Sequence, residues 1–217
     1  MIRKISGKGS RSAIKHIVTD NDTITDPKDI ANKLADTLTK NSSSNNYTKK
    51  FKKHKNQKEK RHLKFNSNNT ENYNNIFNMR ELQYSLNKAH DTSAGPDDIH
   101  YQLLKHLPAN SFATLLDIFN SIWESGNFPP SWREAIIIPI PKPGKDHTDP
   151  YNYRPIALTS CVCKTMERMI NERPKWYLES KNIITEFQSG FRQHRRTTDH
   201  LISFETFIRE AFIKKNI

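Results

Sequence analysis

The sequence predicts an α+β chain that is mostly helical and carries one β-hairpin. Two observations lead there. Apolar residues recur at three- and four-residue spacing in a series of stretches, whereas only one pair of short β-branched runs, Ala135 to Ile140 and Ile156 to Leu158, flanks a turn-rich loop. No further strand follows before Ile217.

Asp26-Pro27 has the form of an N-cap followed by proline in the first helical turn, and Ile30, Leu34 and Leu38 then share a face. Asn78 starts a second helix with Met79, Leu82, Leu86 and Ala89 on one side. The turn Gly95-Pro96 in "SAGPDDIH" ends it, and Asp97 or Asp98 is placed to cap a short helix over 98–107 that stops at Pro108. A longer helix from Ser111 to Ser125 groups Phe112, Leu115, Phe119, Ile122 and Trp123, and Gly126 closes it as a left-handed cap. Ala135 to Ile140 predicts a buried strand, and Ile156 to Leu158 its return. Thr159 or Ser160 then caps a helix holding Val162, Met166, Met169 and Ile170. The last amphipathic stretch, from Thr198 to Lys215, aligns Leu201, Phe204, Ile208, Ala211 and Phe212.

Polarity is uneven along the chain. Hydrophobic residues make up 34% and the mean hydropathy is −0.84, with residues 41–78 rich in Asn, Ser and Lys and lacking either period. This divides the chain into a connector with a short helix (1–40), a basic linker (41–78) and a folded part (79–217). The net charge of +12 points to a polyanionic partner. Thr48 to Lys64 alone carries nine Lys/Arg against Glu59, and this run reads either as a solvated tether or as a nucleic-acid contact to which Phe51 adds a stacking ring.

Several classes fall away. Cys161 and Cys163 are too few for a zinc site and read as reduced thiols in a helix, and the scattered histidines form no ligand array. "SGKGS" lacks phosphate-loop spacing, and the Asn-x-Ser/Thr matches at Asn41, Asn46 and Asn68 follow from composition. The N-terminus lacks an apolar core and no apolar run is long enough for a bilayer, which predicts an intracellular, soluble chain without a membrane partner. The only adjacent carboxylates, Asp97-Asp98, follow Gly-Pro in a turn and read as helix caps rather than metal ligands. The residues alone thus offer no catalytic centre and no metal site.

Cations form the clearer constellations. Lys142, Lys145 and Arg154 surround the hairpin loop, where they would grip a triphosphate or merely keep an exposed tip soluble. Arg192, Arg195 and Arg196 precede the last helix, where arginines oppose the helix dipole unless an anion neutralises them, and this favours a nucleic-acid backbone contact.

Three segments, "SAGPDDIHYQLLKHLP", "FPPSWREAIIIPIPKPGKDHTDPYNYRPIALTSCVCKTMERMI" and "ITEFQSGFRQHRRTTDHLI", resemble in order and spacing the N-terminal half of the reverse transcriptase of non-LTR (LINE-like, jockey-type) retrotransposons. The match covers about Asn72 to Ile213, and "RKISGK" and "TDPKDIANKLADTL" resemble the connector after the endonuclease of such elements. The resemblance implies a partial right-hand polymerase, fingers and start of palm, with RNA template, DNA primer or target and deoxynucleoside triphosphates as partners. Lys142 and Arg154 would face the phosphates of the incoming nucleotide, and Gln188, Arg192, Arg195 and Arg196 would lie near template or primer. It also implies Mg²⁺ in the complete polymerase, held by aspartates later than Ile217, and a ribonucleoprotein found in cytoplasm and nucleus. On this reading the chain is truncated before the catalytic strands and inactive alone.

Three positions depart from the family pattern: Pro174 stands for Leu inside a helix, Asp98 for Gly in "SAGPDG", and Arg196 for Ser. An interior proline costs roughly 3 kcal/mol unless the helix breaks there. The alternatives to a polymerase fragment are a basic nucleic-acid-binding module without catalysis and a decayed, non-functional copy.

Overall fold

A computed structural model describes residues 14–19, 22–61 and 71–214. The readings of "RKISGK", "SGKGS", Asn68 and positions 62–64 of the basic run lie outside them. The architecture is α+β and mostly helical, with two small antiparallel hairpins rather than the one expected. The chain divides into two units, Met1–Met169 and Ile170–Ile217.

In the first unit, β1 (Ile17–Val18) pairs with β2 (Thr23–Ile24), their turn held by Thr19 and Asp22. Strands of two residues leave no alternation to read, which is why the sequence does not announce them. Helix α1 (Pro27–Asn41) begins as predicted: Asp26 Oδ1 accepts from the N–H groups of Lys28 and Asp29 at 2.9 and 3.1 Å. Its Ile30 and Leu34 cluster with Ile17 and Tyr153 in a small core.

The segment expected to be a linker contains a helix, α2 (Lys49–Glu59), capped by Thr48 Oγ1 on Phe51 N–H at 3.3 Å. Lysine and glutamine are good helix formers, so the capped run needs no apolar face to be helical. None of its residues is buried. Phe77, at the end of the expected linker, is 2% exposed, and its main-chain N–H and C=O are both held by the Asn120 side chain, at 2.6 and 3.1 Å.

Helix α3 (Met79–Asn87) opens on a capping box between Asn78 and Glu81 and packs on α4 (Tyr101–Lys105) and α5 (Ala109–Ser125). Leu82 and Phe119 are wholly buried there, each a stabilisation of about 1.5–3 kcal/mol. Gly126, at φ +66°, gives α5 the left-handed cap foreseen. Neither Asp97 nor Asp98 caps α4, whose N-cap is His100. Gly95 to Asp98 instead form a turn closed by Asp98 N–H on Gly95 O at 3.1 Å, and Asp97 Oδ1 accepts from Ile99 N–H at 3.2 Å. Asp98 ends that turn at φ +54°, a left-handed conformation that explains why glycine suits the position. Asp98→Gly is therefore expected to raise stability by about 0.5 kcal/mol, read as a higher urea midpoint.

Gly95 has a different constraint. A Cβ on it would lie 2.5 Å from Ser160 N and from Thr159 C, so the "SAGP" turn presses directly on the start of the next helix. That helix, α6 (Cys161–Ser180), is capped by Ser160 Oγ on the N–H groups of Val162 and Cys163, at 3.1 and 3.3 Å. It buries Cys161, Cys163, Thr165, Met166 and Met169. It also runs unbroken through Pro174, which is exposed.

In the second unit, α7 (Thr197–Ile213) begins where Asp199 Oδ2 accepts from Arg196 N–H at 2.7 Å. Its apolar stripe has the predicted spacing, yet none of its residues is buried. Among the described residues, no helix is long and apolar enough to cross a membrane.

Candidate nucleotide-binding hairpin

The candidate site is the second hairpin, β3 (Ile136–Pro141) with β4 (Tyr153–Leu158). Lys142 N–H donates to Asn152 O at 2.8 Å, which makes Lys142–Asn152 a hydrogen-bonded pair in the register that joins Pro141 to Tyr153. Counting along the ladder then puts Pro139, Pro141 and Pro155 at the alternate, non-hydrogen-bonded positions. No rung of the ladder depends on an N–H that proline lacks.

The same register sorts the two faces. Ile137, Pro139 and Pro141 share one with Tyr153, Pro155 and Ala157; Ile136, Ile138 and Ile140 share the other with Arg154, Ile156 and Leu158. The first face looks toward the N-terminal segment: Tyr153 is buried against Ile17, Ile30 and Leu34, and a cavity of about 240 Å³ is lined by Pro139, Pro141, Lys15, His16 and His147. The second face is open. Ile136, Ile140 and Ile156 are each nearly half exposed, and on the first face Ile137, Pro141, Pro155 and Ala157 are exposed too, which corrects the expectation of a buried strand: the connector segment covers little of the hairpin beyond Pro139 and Tyr153.

Arg154 stands on this open face opposite Ile140. It is exposed, and no ion pair engages it among the described residues. Lys142 is half-buried, its Nζ donating to Tyr151 O at 2.9 Å, so a neutral carbonyl positions the ammonium without cancelling its charge. Lys145 is exposed at the tip.

The connecting loop is braced along its length. Asp146 Oδ1 accepts from both the N–H and the hydroxyl of Thr148, at 2.9 and 2.8 Å, and these bonds hold its carboxyl below the usual carboxylate range. Asn152 Nδ2 donates to Asp146 O and Asp149 Oδ2, and Tyr153 O–H donates to His147 O at 2.6 Å. Val18 N–H ties the loop to β1 through Thr148 O at 2.8 Å. The result is a stiff arm bearing two cations beside an apolar surface, suited to an anion attached to an apolar body.

The four other predicted contact residues lie in the second unit. Arg192 is spent internally: its Nε and Nη2 donate to Glu179 at 2.9 and 2.7 Å, and Nη1 donates to the carbonyls of Thr185 and Gln188. Sequence gave no sign of this partner. Through those bonds the Glu179 carboxyl lies below its ordinary range and the Arg192 guanidinium above its own. Gln188, Arg195 and Arg196 are exposed, as are Phe187 and Phe191. Among the described residues no three His, Cys, Asp or Glu side chains converge to hold a metal ion, and the Asp97-Asp98 turn is used as described. The described residues therefore do not fit a Mg²⁺ site.

No protein-family model matches the chain. Curated proteins do. It is 36% identical over 123 residues to the probable RNA-directed DNA polymerase from transposon BS of Drosophila melanogaster, covering 57% of this chain and 14% of that protein. The RNA-directed DNA polymerase from mobile element jockey of the same organism is 36% identical over 121 residues, 56% of this chain and 13% of its own length. Its counterpart from Drosophila funebris is 37% identical over 138 residues, 63% and 15%. The chain thus spans about one seventh of the length of these relatives, and over more than half of its own length it is similar to RNA-directed DNA polymerases of non-LTR mobile elements.

Proposed function

We propose that this chain supplies the nucleotide-facing arm of an RNA-directed DNA polymerase of a non-LTR retrotransposon, the fingers and first part of a right-hand fold within residues 79–217. Arg154 and Lys142 take the triphosphate of the incoming deoxynucleotide, while the isoleucines of the open face lie against its sugar and base. The exposed Gln188, Arg195 and Arg196 contact template or primer; Arg192 holds their loop in shape. One observation carries the reading: an arginine with no ion pair among the described residues stands exposed on a braced hairpin that also bears a lysine whose charge is positioned but not neutralised.

Primer extension on an RNA template tests it, with this segment placed in a full-length relative. Charge-assisted hydrogen bonds contribute about 1.5–3 kcal/mol each, so Arg154→Ala and Lys142→Ala are each expected to raise KM for deoxynucleotides about ten- to a hundredfold. RNA affinity should hardly change. An unaltered nucleotide KM in both variants would refute the assignment.

A further inference from the structure

We infer that helix α2 is a second, separate nucleic-acid site, which takes a phosphate backbone along one lysine-rich face. Lys49, Lys52, Lys53, Asn56 and Lys60 recur at three- and four-residue spacing and so share one side of the helix, with Lys50 and Gln57 at its edge. The stripe runs for about 16 Å at 1.5 Å per residue. Lys49, Lys50, Lys53 and Lys60 are exposed and have no acidic partner among the described residues, and Lys52 reaches only Asn45 Oδ1, at 3.4 Å.

Glu59, the helix's one acid, stands at the edge of this face and pairs with Lys55, outside the stripe, at 3.6 Å; the Lys55 ammonium lies 6.0 Å from the centre of the Tyr47 ring, itself 4.8 Å from Phe51. The acid is thus engaged by a lysine outside the stripe, and no stripe ammonium pairs with it among the described residues. This placement is costly to the isolated helix. Like charges three and four residues apart repel, and Lys49 and Lys50 occupy the first turn, where the helix dipole is positive and where no acidic residue stands.

A polyanion along the stripe removes both penalties at once, and the Asn56 and Gln57 amides add hydrogen-bond donors between the cations. A membrane surface fits less well, because a helix lying in a lipid interface needs an apolar stripe and α2 offers only Phe51. The site does not depend on the hairpin, and its test involves neither deoxynucleotides nor synthesis.

The experiment measures binding of the 217-residue chain to labelled 20-nucleotide RNA and to DNA of the same sequence by fluorescence anisotropy over a salt series. Lys49→Gln with Lys53→Gln alters the stripe; Lys55→Gln with Lys58→Gln removes the same charge from the other side. Glutamine and lysine have similar helix propensity, and circular dichroism confirms that both variants keep the helix. On single strands each lost phosphate contact lowers the salt slope by about 0.7, so the stripe variant is expected to lose about 1.4 and the other variant much less. Comparison of the two oligonucleotides identifies which backbone is preferred. Equal losses in the two variants would reduce the effect to net charge and overturn the proposal. So would an unchanged slope, or a stripe variant that loses binding only to phosphatidylserine vesicles.

Discussion

Gly95→Ala is expected to destabilise the first unit by about 3 kcal/mol, the largest effect foreseen for a single methyl group in this chain. The added Cβ would meet Ser160 N and Thr159 C at 2.5 Å, and these are backbone atoms that no rotamer change can move aside. Relief requires pulling the turn away from the start of α6, where Ser160 caps the helix and Cys161 Sγ lies 3.9 Å from Ser93 O. Gly126→Ala is the internal comparison. There the strain is conformational, φ being +66° with nothing within 4 Å of a Cβ, and the cost is about 1 kcal/mol. Urea unfolding followed by tryptophan fluorescence ranks the two variants, and an alanine at 95 tolerated better than one at 126 would mean that the turn does not press on the helix in solution.

Cys163 is expected to resist alkylation in the native chain by about a thousandfold relative to the unfolded one at pH 8. Burial, reinforced by the neighbouring Glu167 carboxylate, pushes its thiol up to about 12, and the side chain is 1% exposed. The reactive thiolate is therefore scarce as well as shielded. Cys161 is raised in the same direction, chiefly by burial. A thiol raised on folding stabilises the native state fully below its unfolded pKa, and that contribution is lost as pH climbs from the ordinary thiol range toward about 12. Iodoacetamide labelling read by mass spectrometry, with and without urea, measures the ratio. Similar rates in both would show that the first turns of α6 are not packed as described.

Where a residue acts on its own neighbours, the sequence was informative. Asp26, Asn78, Ser160 and Gly126 each end or begin a helix through contacts within a few residues, and each does so where local chemistry placed it. Asp98 shows the limit of that logic: its type suited a cap, but the helix starts later, with His100 at its N-cap, and the turn leaves Asp98 in a left-handed conformation. The burial of β3 could not be read from its isoleucines, because the far-off segment of Ile17, Ile30 and Leu34 covers Tyr153 and leaves Ile136, Ile137 and Ile140 exposed. Arg192 was legible as a cation and not as the partner of Glu179, thirteen positions earlier in the chain. Lys142 and Arg154 were legible, with Lys145, as cations of the hairpin loop, and the resemblance narrowed the set to these two, whereas the side of the arm on which Arg154 stands follows only from the strand register.

The prolines of the hairpin have a consequence for association. At non-hydrogen-bonded positions an N–H points away from the partner strand, so Pro139 and Pro141 on one margin and Pro155 on the other remove three of the six donors with which a stray strand would dock. An arm with isoleucines bared on one face would otherwise be a template for fibril growth. Its margins are chemically blunt, and it can be held out toward a small ligand without recruiting a third strand from another molecule.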